Sequence, residues 1–444
     1  MKKLLLLLTL LPLNTHASDA VDITSNSSIK LNGYNISNQV IDNNYKSYIN
    51  LKNTDKIEIQ SKDNIKGIYI IYEFEGYDAE IMYNNTTETI GKNNFAHEYI
   101  ELKDSATNVT ITYKEDAIIS DIYLFTEGNL PSWVQKWENP HEEADLMLLT
   151  THADDEQLFF LGLIPTYVDR GIKVQVVYLA NHNDNQRRIH EQLNGLWTVG
   201  SKNYPVLGVI PDAYSESLEG AINNLNKVNL DEEFVIKFQT EMIRRFKPLV
   251  IVGHDELGEY SHGQHILNTY ALKKALERSN DENYYNELNY DLWEVKKTYL
   301  HLYKDNQITM NYDTPLNSFD NKTAYEVSKE GYKMHESQQW TWFTGWINGK
   351  NNEYTKSTEI TKYSPNSYGL YMTKVGDDIK KNDMFENIIL RKEKKKTFKD
   401  IVNKRMKKKD IIDEKRNYSL YIISAGLLVT IILLTMLKTN KKKK

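Results

Sequence analysis

No cysteine occurs anywhere in the 444 residues. That absence excludes a thiolate metal site, a disulfide framework and a cysteine nucleophile together. A charge excess of one sign is also missing: the formal net charge is −6, which gives no case for a nucleic-acid partner. Nor does a glycine-rich phosphate loop stand at the first strand-to-helix turn of the main domain, so a dinucleotide site is unsupported. Acidic residues stand there instead, in Thr150-Thr151-His152-Ala153-Asp154-Asp155-Glu156.

The two ends carry the long apolar runs. Lys2 and Lys3 precede an apolar stretch over 4–13, followed by Asn14-Thr15-His16-Ala17. This pattern reads as a signal peptide over 1–17, too short to span a bilayer. Residues 418–437 are almost wholly apolar and lead into a lysine tail at 438–444, which predicts a transmembrane helix with a cytoplasmic tail behind a basic stalk at 391–417. The stalk is as basic as the tail, so the signal peptide sets the orientation. The expectation is a single-pass cell-membrane protein with its catalytic domain on the extracellular face.

Between the ends the patterning changes once. Short alternating runs such as Lys56-Ile57-Glu58-Ile59-Gln60 and Asn108-Val109-Thr110-Ile111-Thr112-Tyr113 predict an antiparallel β-sandwich over 18–130. Its stretch 40–48 resembles the entry loop of discoidin-like carbohydrate-binding modules, which would make the domain a sugar binder; a spacer without a ligand is the alternative. Pro131 and Pro140 bracket a linker, 131–142. From 143 to 390 apolar strands alternate with helical spacing: strands near 145–150, 173–179 and 248–253, helices near 157–170, 186–199 and 232–246. This predicts an α/β domain with a Rossmann-like, mostly parallel sheet and flanking helices.

Two stretches carry chemistry, each after an apolar strand, where open α/β sheets bind ligands. In the first, His152 and Asp155 are three apart, and at a helix opening both side chains can point the same way. In the second, Gly258-Glu259-Tyr260-Ser261-His262-Gly263-Gln264-His265, two histidines repeat that spacing. Two imidazoles and a carboxylate, with coordination positions left open, is a plan for catalytic zinc.

His152-Ala153-Asp154-Asp155-Glu156 resembles the His-Pro-Asp-Asp-Glu signature of the PIG-L/LmbE-like zinc-dependent N-acetylglucosaminyl deacetylases, and Tyr260-Ser261-His262-Gly263-Gln264-His265 resembles their second motif. Arg188-Ile189-His190-Glu191 and His335-Glu336-Ser337-Gln338 are similar to two further elements of that family. Ala153 stands where the family has proline, and Gly263-Gln264 where it has Pro-Asp, neither a ligand position. The resemblance implies one zinc ion held by His152, Asp155 and His265, with Asp154 as general base. It also implies an oxyanion donor from Tyr260 or His262, and proton delivery to the leaving amine by His262 or Asp154. Glu156 reads as a helix-terminal carboxylate. Arg188, His182 and Gln338 are expected to touch substrate, and Trp340, Trp342, Phe343 and Trp346 form either a stacking platform for sugars or an aromatic core. The expected function is hydrolysis of the acetamide of N-acetylglucosamine-type sugars in a cell-surface glycan; the alternatives are a catalytically silent glycan-binding surface protein and a zinc amidase for another acylated amino sugar.

Overall fold

The computed structural model describes residues 18–285 and 287–391. Its N-terminal region consists of β1 (Ser28–Leu31), β2 (Tyr34–Asn35), β3 (Ile49–Leu51), β4 (Lys56–Tyr72), β5 (Ala79–Tyr83), β6 (Thr86–Ile90), β7 (His97–Tyr113) and β8 (Ala117–Phe125). They pair antiparallel in the order β2-β1-β4-β7-β5-β6, with β8 added to β4 and β3 to β8. The expected sandwich of two sheets is corrected to one hydrogen-bonded sheet, because β4 and β7, each 17 residues long, run through both halves. Their register shifts between Gln60 and Gly67. Side chains alternate between faces along a strand, so the shift changes the inward set from Ile57 and Ile59 to Ile68, Ile70 and Tyr72. Both halves thereby fill one core.

The second region runs β9 (Leu146–Thr150), α1 (Asp155–Leu158), α2 (Leu163–Asp169), β10 (Val174–Tyr178), β11 (Ala180–Asn181), α3 (Gln186–Thr198), β12 (Ile210–Pro211), α4 (Leu218–Asn226), α5 (Glu232–Phe246), β13 (Val250–Gly253), α6 (Gly263–Arg278), β14 (Lys297–His301), β15 (Gln307–Thr309), α7 (Ala324–Lys333), α8 (Phe343–Asn348) and β16 (Ser367–Thr373). The six-stranded sheet has the order β10-β9-β13-β14-β16-β15. Its first four strands are parallel, but β16 pairs antiparallel with both β14 and β15. The expectation of a mostly parallel sheet in this domain is therefore corrected to a mixed one, with β16 and β15 added antiparallel at one side. β16, with the sequence Ser-Tyr-Gly-Leu-Tyr-Met-Thr, has no long apolar run to announce a strand, and it returns from the excursion through α7 and α8 to insert between β14 and β15.

The helix expected over 157–170 is broken in two at Gly162, whose φ of 84° is left-handed and whose missing Cβ leaves room for the Tyr312 ring. No helix among the described residues is long and apolar enough to cross a membrane. The single-pass membrane location and the transmembrane helix are thus corrected. The signal peptide (1–17), the membrane helix (418–437), the tail (438–444) and all of the stalk but residue 391 lie outside the described residues.

The antiparallel sheet packs on α3. In the second half of β4 the strand is buried on both faces, since Tyr69 and Ile71 join Val134 of the connecting segment. His97 on β7 hydrogen-bonds His190 on α3 at 2.8 Å, Tyr45 stacks on His190 at 4.3 Å, and Asn194 donates to the Tyr45 hydroxyl at 3.0 Å.

Candidate metal centre

Three neighbouring parallel strands, β9, β13 and β14, deliver histidines at their carboxyl ends: His152 and His254 just beyond the first two, and His301 as the last residue of the third. The turn after β9 is held by Asn268 on α6, which donates to Thr150 O and Thr151 Oγ1 at 3.0 and 2.8 Å. Its backbone is strained at Asp154, where φ is 112°. Within the turn the His152 N–H donates to Asp155 Oδ2 at 2.7 Å and the Asp154 N–H to Glu156 Oε2 at 3.0 Å. The second stretch is strained too, with φ of 46° at Tyr260 and 62° at Ser261. His262 then caps α6, its Nδ1 accepting the Gln264 N–H at 3.2 Å. A side chain at Gly263 would run into Ser217 O and Ser215 Oγ, so the departure from proline there suits a close backbone approach.

Hydrogen bonds set the protons on the ligand histidines. Gln264 Oε1 lies 2.9 Å from His152 Nε2, so that nitrogen donates and Nδ1 keeps its lone pair. Glu259 Oε2 lies 2.7 Å from His265 Nδ1, so Nε2 keeps its lone pair. These two lone-pair nitrogens stand 3.1 Å apart, and each is 3.3 Å from Asp155 Oδ2. Three such atoms gathered this closely repel one another unless a proton or a metal cation sits between them. Donors about 2.0–2.2 Å from a tetrahedral zinc stand about 3.3–3.6 Å apart, so the donor set fits such an ion. His254 Nε2 faces Asp155 Oδ2 at 3.5 Å.

The two aspartates differ electrostatically. Burial would raise Asp155, but His265 and His152 hold it well below the usual carboxylate range. Burial raises Asp154, with Arg188 pulling the other way from 3.3 Å. Burial, followed by His152 and His265, pushes His262 far down. It is therefore neutral, and with Nδ1 accepting, its proton sits on Nε2. Tyr260 is raised by burial and by Asp155, so its hydroxyl keeps its proton; its ring lies 5.4 Å from that of His262 and 5.6 Å from that of His265.

The structure thus gathers His152, Asp154, Asp155, Arg188, Tyr260, His262 and His265. Arg188 also donates to Ala153 O, beneath the turn. His182 is placed differently: its Nε2 accepts the Ala153 N–H at 3.1 Å, and the residue is buried under the first motif. Gln338 bonds Ser337 Oγ within its own turn. That turn is nonetheless tied to the site, because Glu191 accepts both the N–H and O–H of Ser337, and His335 pairs with Glu156 at 3.1 Å.

Sequence reasoning missed Glu259. Fully buried, it takes hydrogen bonds from His254 at 2.8 Å, His265 at 2.7 Å and His301 at 2.6 Å. Part of the signal was readable in β9 and β13, two apolar strands that each hand over to a histidine; the third, β14, gave none.

Residues 147–276 match the family model described as PIG-L, GlcNAc-PI de-N-acetylase. A curated relative, 1D-myo-inositol 2-acetamido-2-deoxy-alpha-D-glucopyranoside deacetylase 2 of Saccharopolyspora erythraea, is 36% identical over 175 residues, covering 34% of this chain. The chain spans 63% of that relative's length. Similar solved structures include a conserved protein of Thermus thermophilus (13% identity, 52% of this chain and 95% of that one, TM-score 0.36). Another is the N,N'-diacetylchitobiose deacetylase of Pyrococcus horikoshii (15% identity, 54% and 90%, TM-score 0.36).

Proposed function

We propose, from the match of residues 147–276 to the PIG-L family model, that this chain hydrolyses the acetamide of N-acetylglucosamine-type sugars, with one zinc ion held by His152, Asp155 and His265. The observation that carries this reading is the convergence of two lone-pair nitrogens and a carboxylate oxygen within 3.3 Å of one another. The substrate class follows the curated relative, named for deacetylating an inositol-linked 2-acetamido-2-deoxyglucopyranoside.

When bound, the ion supplies a Lewis acid and an acidified water for attack on the amide. The chain's own residues do the rest. Asp154, buried and raised, accepts the proton released in the attack, and Arg188 keeps its carboxylate aimed. The Nε2–H of neutral His262 and the hydroxyl of Tyr260 donate to the developing oxyanion, a contribution of about 2.7–4 kcal/mol for a well-placed donor. Asp154 then returns its proton to the leaving amine. Residues 143–390 would form the deacetylase domain, with 18–130 an accessory domain joined through 131–142.

The test incubates the full chain, with and without a chelator, with N-acetylglucosamine oligomers of one to six units and measures released acetate. Chelator-sensitive release is expected. Absence of acetate from every oligomer, with zinc bound, would overturn the reading.

A further inference from the structure

Aromatic rings form a continuous row that starts at the metal centre and ends in solvent. Tyr260, beside His262 and His265, contacts Phe343 at 5.6 Å and Trp346 at 5.9 Å. Trp346 stacks on Trp342 at 6.0 Å with the planes 15° apart. The outer members pack against little: Trp342 is 68% exposed and Trp340, two residues before it, 82%. Lys362 lies over the Trp346 ring at 4.5 Å, giving the row a polar, cationic edge. On the other side of the centre, Tyr214, itself 61% exposed, meets the His262 ring edge-on at 5.1 Å.

Exposed indoles do not stabilise a core, and a contiguous apolar patch with a polar rim marks a ligand groove more often than chance exposure does. Flat rings suit the apolar C–H face of a pyranose, and indole N–H and lysine suit its hydroxyls. One amino sugar at the metal would lie against Tyr260. Trp342 stands a ring further out, beyond both Phe343 and Trp346, so it meets the next sugar of a chain.

We propose that Trp346, Trp342 and Trp340 form a glycan subsite adjoining the metal centre, and that the substrate is therefore an oligomeric or polymeric chain of amino sugars rather than a single one. This rests on the deacetylase reading above. The row ends at a Trp-x-Trp segment leading into α8; Phe343 and Trp346 of that helix are half-buried against the core, while Trp342 and Trp340 ahead of it stand exposed to the chain.

The test compares kcat/KM of the full chain on the N-acetylglucosamine hexamer and dimer, in wild type, Trp342→Ala and Trp340→Ala, with Tyr34→Ala as an exposed aromatic of the other sheet. Wild type is expected to prefer the hexamer, and Trp342→Ala to lose about tenfold of that preference, the loss of one stacking contact. Tyr34→Ala should keep it. A wild type without length preference, or an equal fall on both substrates in Trp342→Ala, would overturn the subsite. Hexamer binding, followed by isothermal titration calorimetry, decides the matter even if no acetate is released: binding that weakens about tenfold in Trp342→Ala supports the subsite while the deacetylase reading fails, and no binding overturns both. If Trp342→Ala instead loses binding to phosphatidylcholine–phosphatidylglycerol vesicles and keeps that of the hexamer, the row is a lipid-facing surface and the proposal fails.

Discussion

Glu259 illustrates how one carboxylate can organise a centre it does not enter. It is fully buried, and burial alone would raise it, yet His254 leads the group of imidazoles that hold it well below its ordinary range. Its bond to His265 Nδ1 fixes the tautomer that turns Nε2 inward. Such partners of ligand histidines typically carry 10–100-fold of metal affinity. Glu259→Gln should therefore weaken zinc binding about 10–100-fold in chelator competition while unfolding cooperatively. Unchanged affinity would sink the tautomer argument. Asp154→Asn asks the complementary question. Its carboxylate faces Arg188, not the three-donor cluster, so the variant should lose turnover while its zinc content by atomic absorption stays near wild type. Metal loss would mean that the two aspartates have been assigned the wrong way round. Of these residues the sequence displayed His152, Asp154, Asp155, His262 and His265, because each motif is a contiguous string. Glu259 sat in plain view three residues before His262, but its value depends on His254, His265 and His301, which the fold brings to it from just beyond β13, from α6 and from β14.

At the scale of elements, β9, β10 and β13 were legible because both their faces are buried and they read as apolar runs. β14 was not, since it opens with Lys297, whose charge is met inside the protein by Asp378, a partner distant in sequence. The bend of the antiparallel sheet was equally hidden: alternation marks a strand but does not say where two long strands will shift register. The break between α1 and α2 also escaped periodicity, which continues across Gly162. Here a prediction follows from backbone and packing together. An alanine at 162 must adopt φ of 84° and place its Cβ 2.4 Å from Cγ of the fully buried Tyr312. Gly162→Ala should cost about 3 kcal/mol, read as a lowered urea midpoint with the m-value retained. A shift within about 0.5 kcal/mol, the range of an ordinary surface substitution, would show that the segment can relax without the break.

Across the whole molecule, the joint between the antiparallel sheet and α3 is built on a pair of neutral histidines. Burial pushes His97 down to about 3, and burial with His97 beside it takes His190 well below its ordinary value. The groups facing them are Tyr69, Gln135 and the stacked ring of Tyr45, none of them a carboxylate. One proton serves the 2.8 Å contact between His97 Nε2 and His190 Nδ1, so charging both rings would set two N–H groups head to head. A histidine whose folded pKa is depressed stabilises the fold above its unfolded pKa of about 6.5 and loses that contribution as the pH falls toward the folded value. For His97 the loss at pH 5 is about 2 kcal/mol, and His190 adds a loss of the same sign. Because α3 also carries Arg188, which faces Asp154, the joint bears on the site as well as on stability. Urea midpoints should therefore fall between pH 6.5 and 5. His97→Gln, which retains hydrogen-bonding capacity without a titrating ring, should be less stable at pH 7 but show about half the wild-type slope across that interval. An equal slope in the variant would mean that other groups carry the acid sensitivity and that the histidine joint does not.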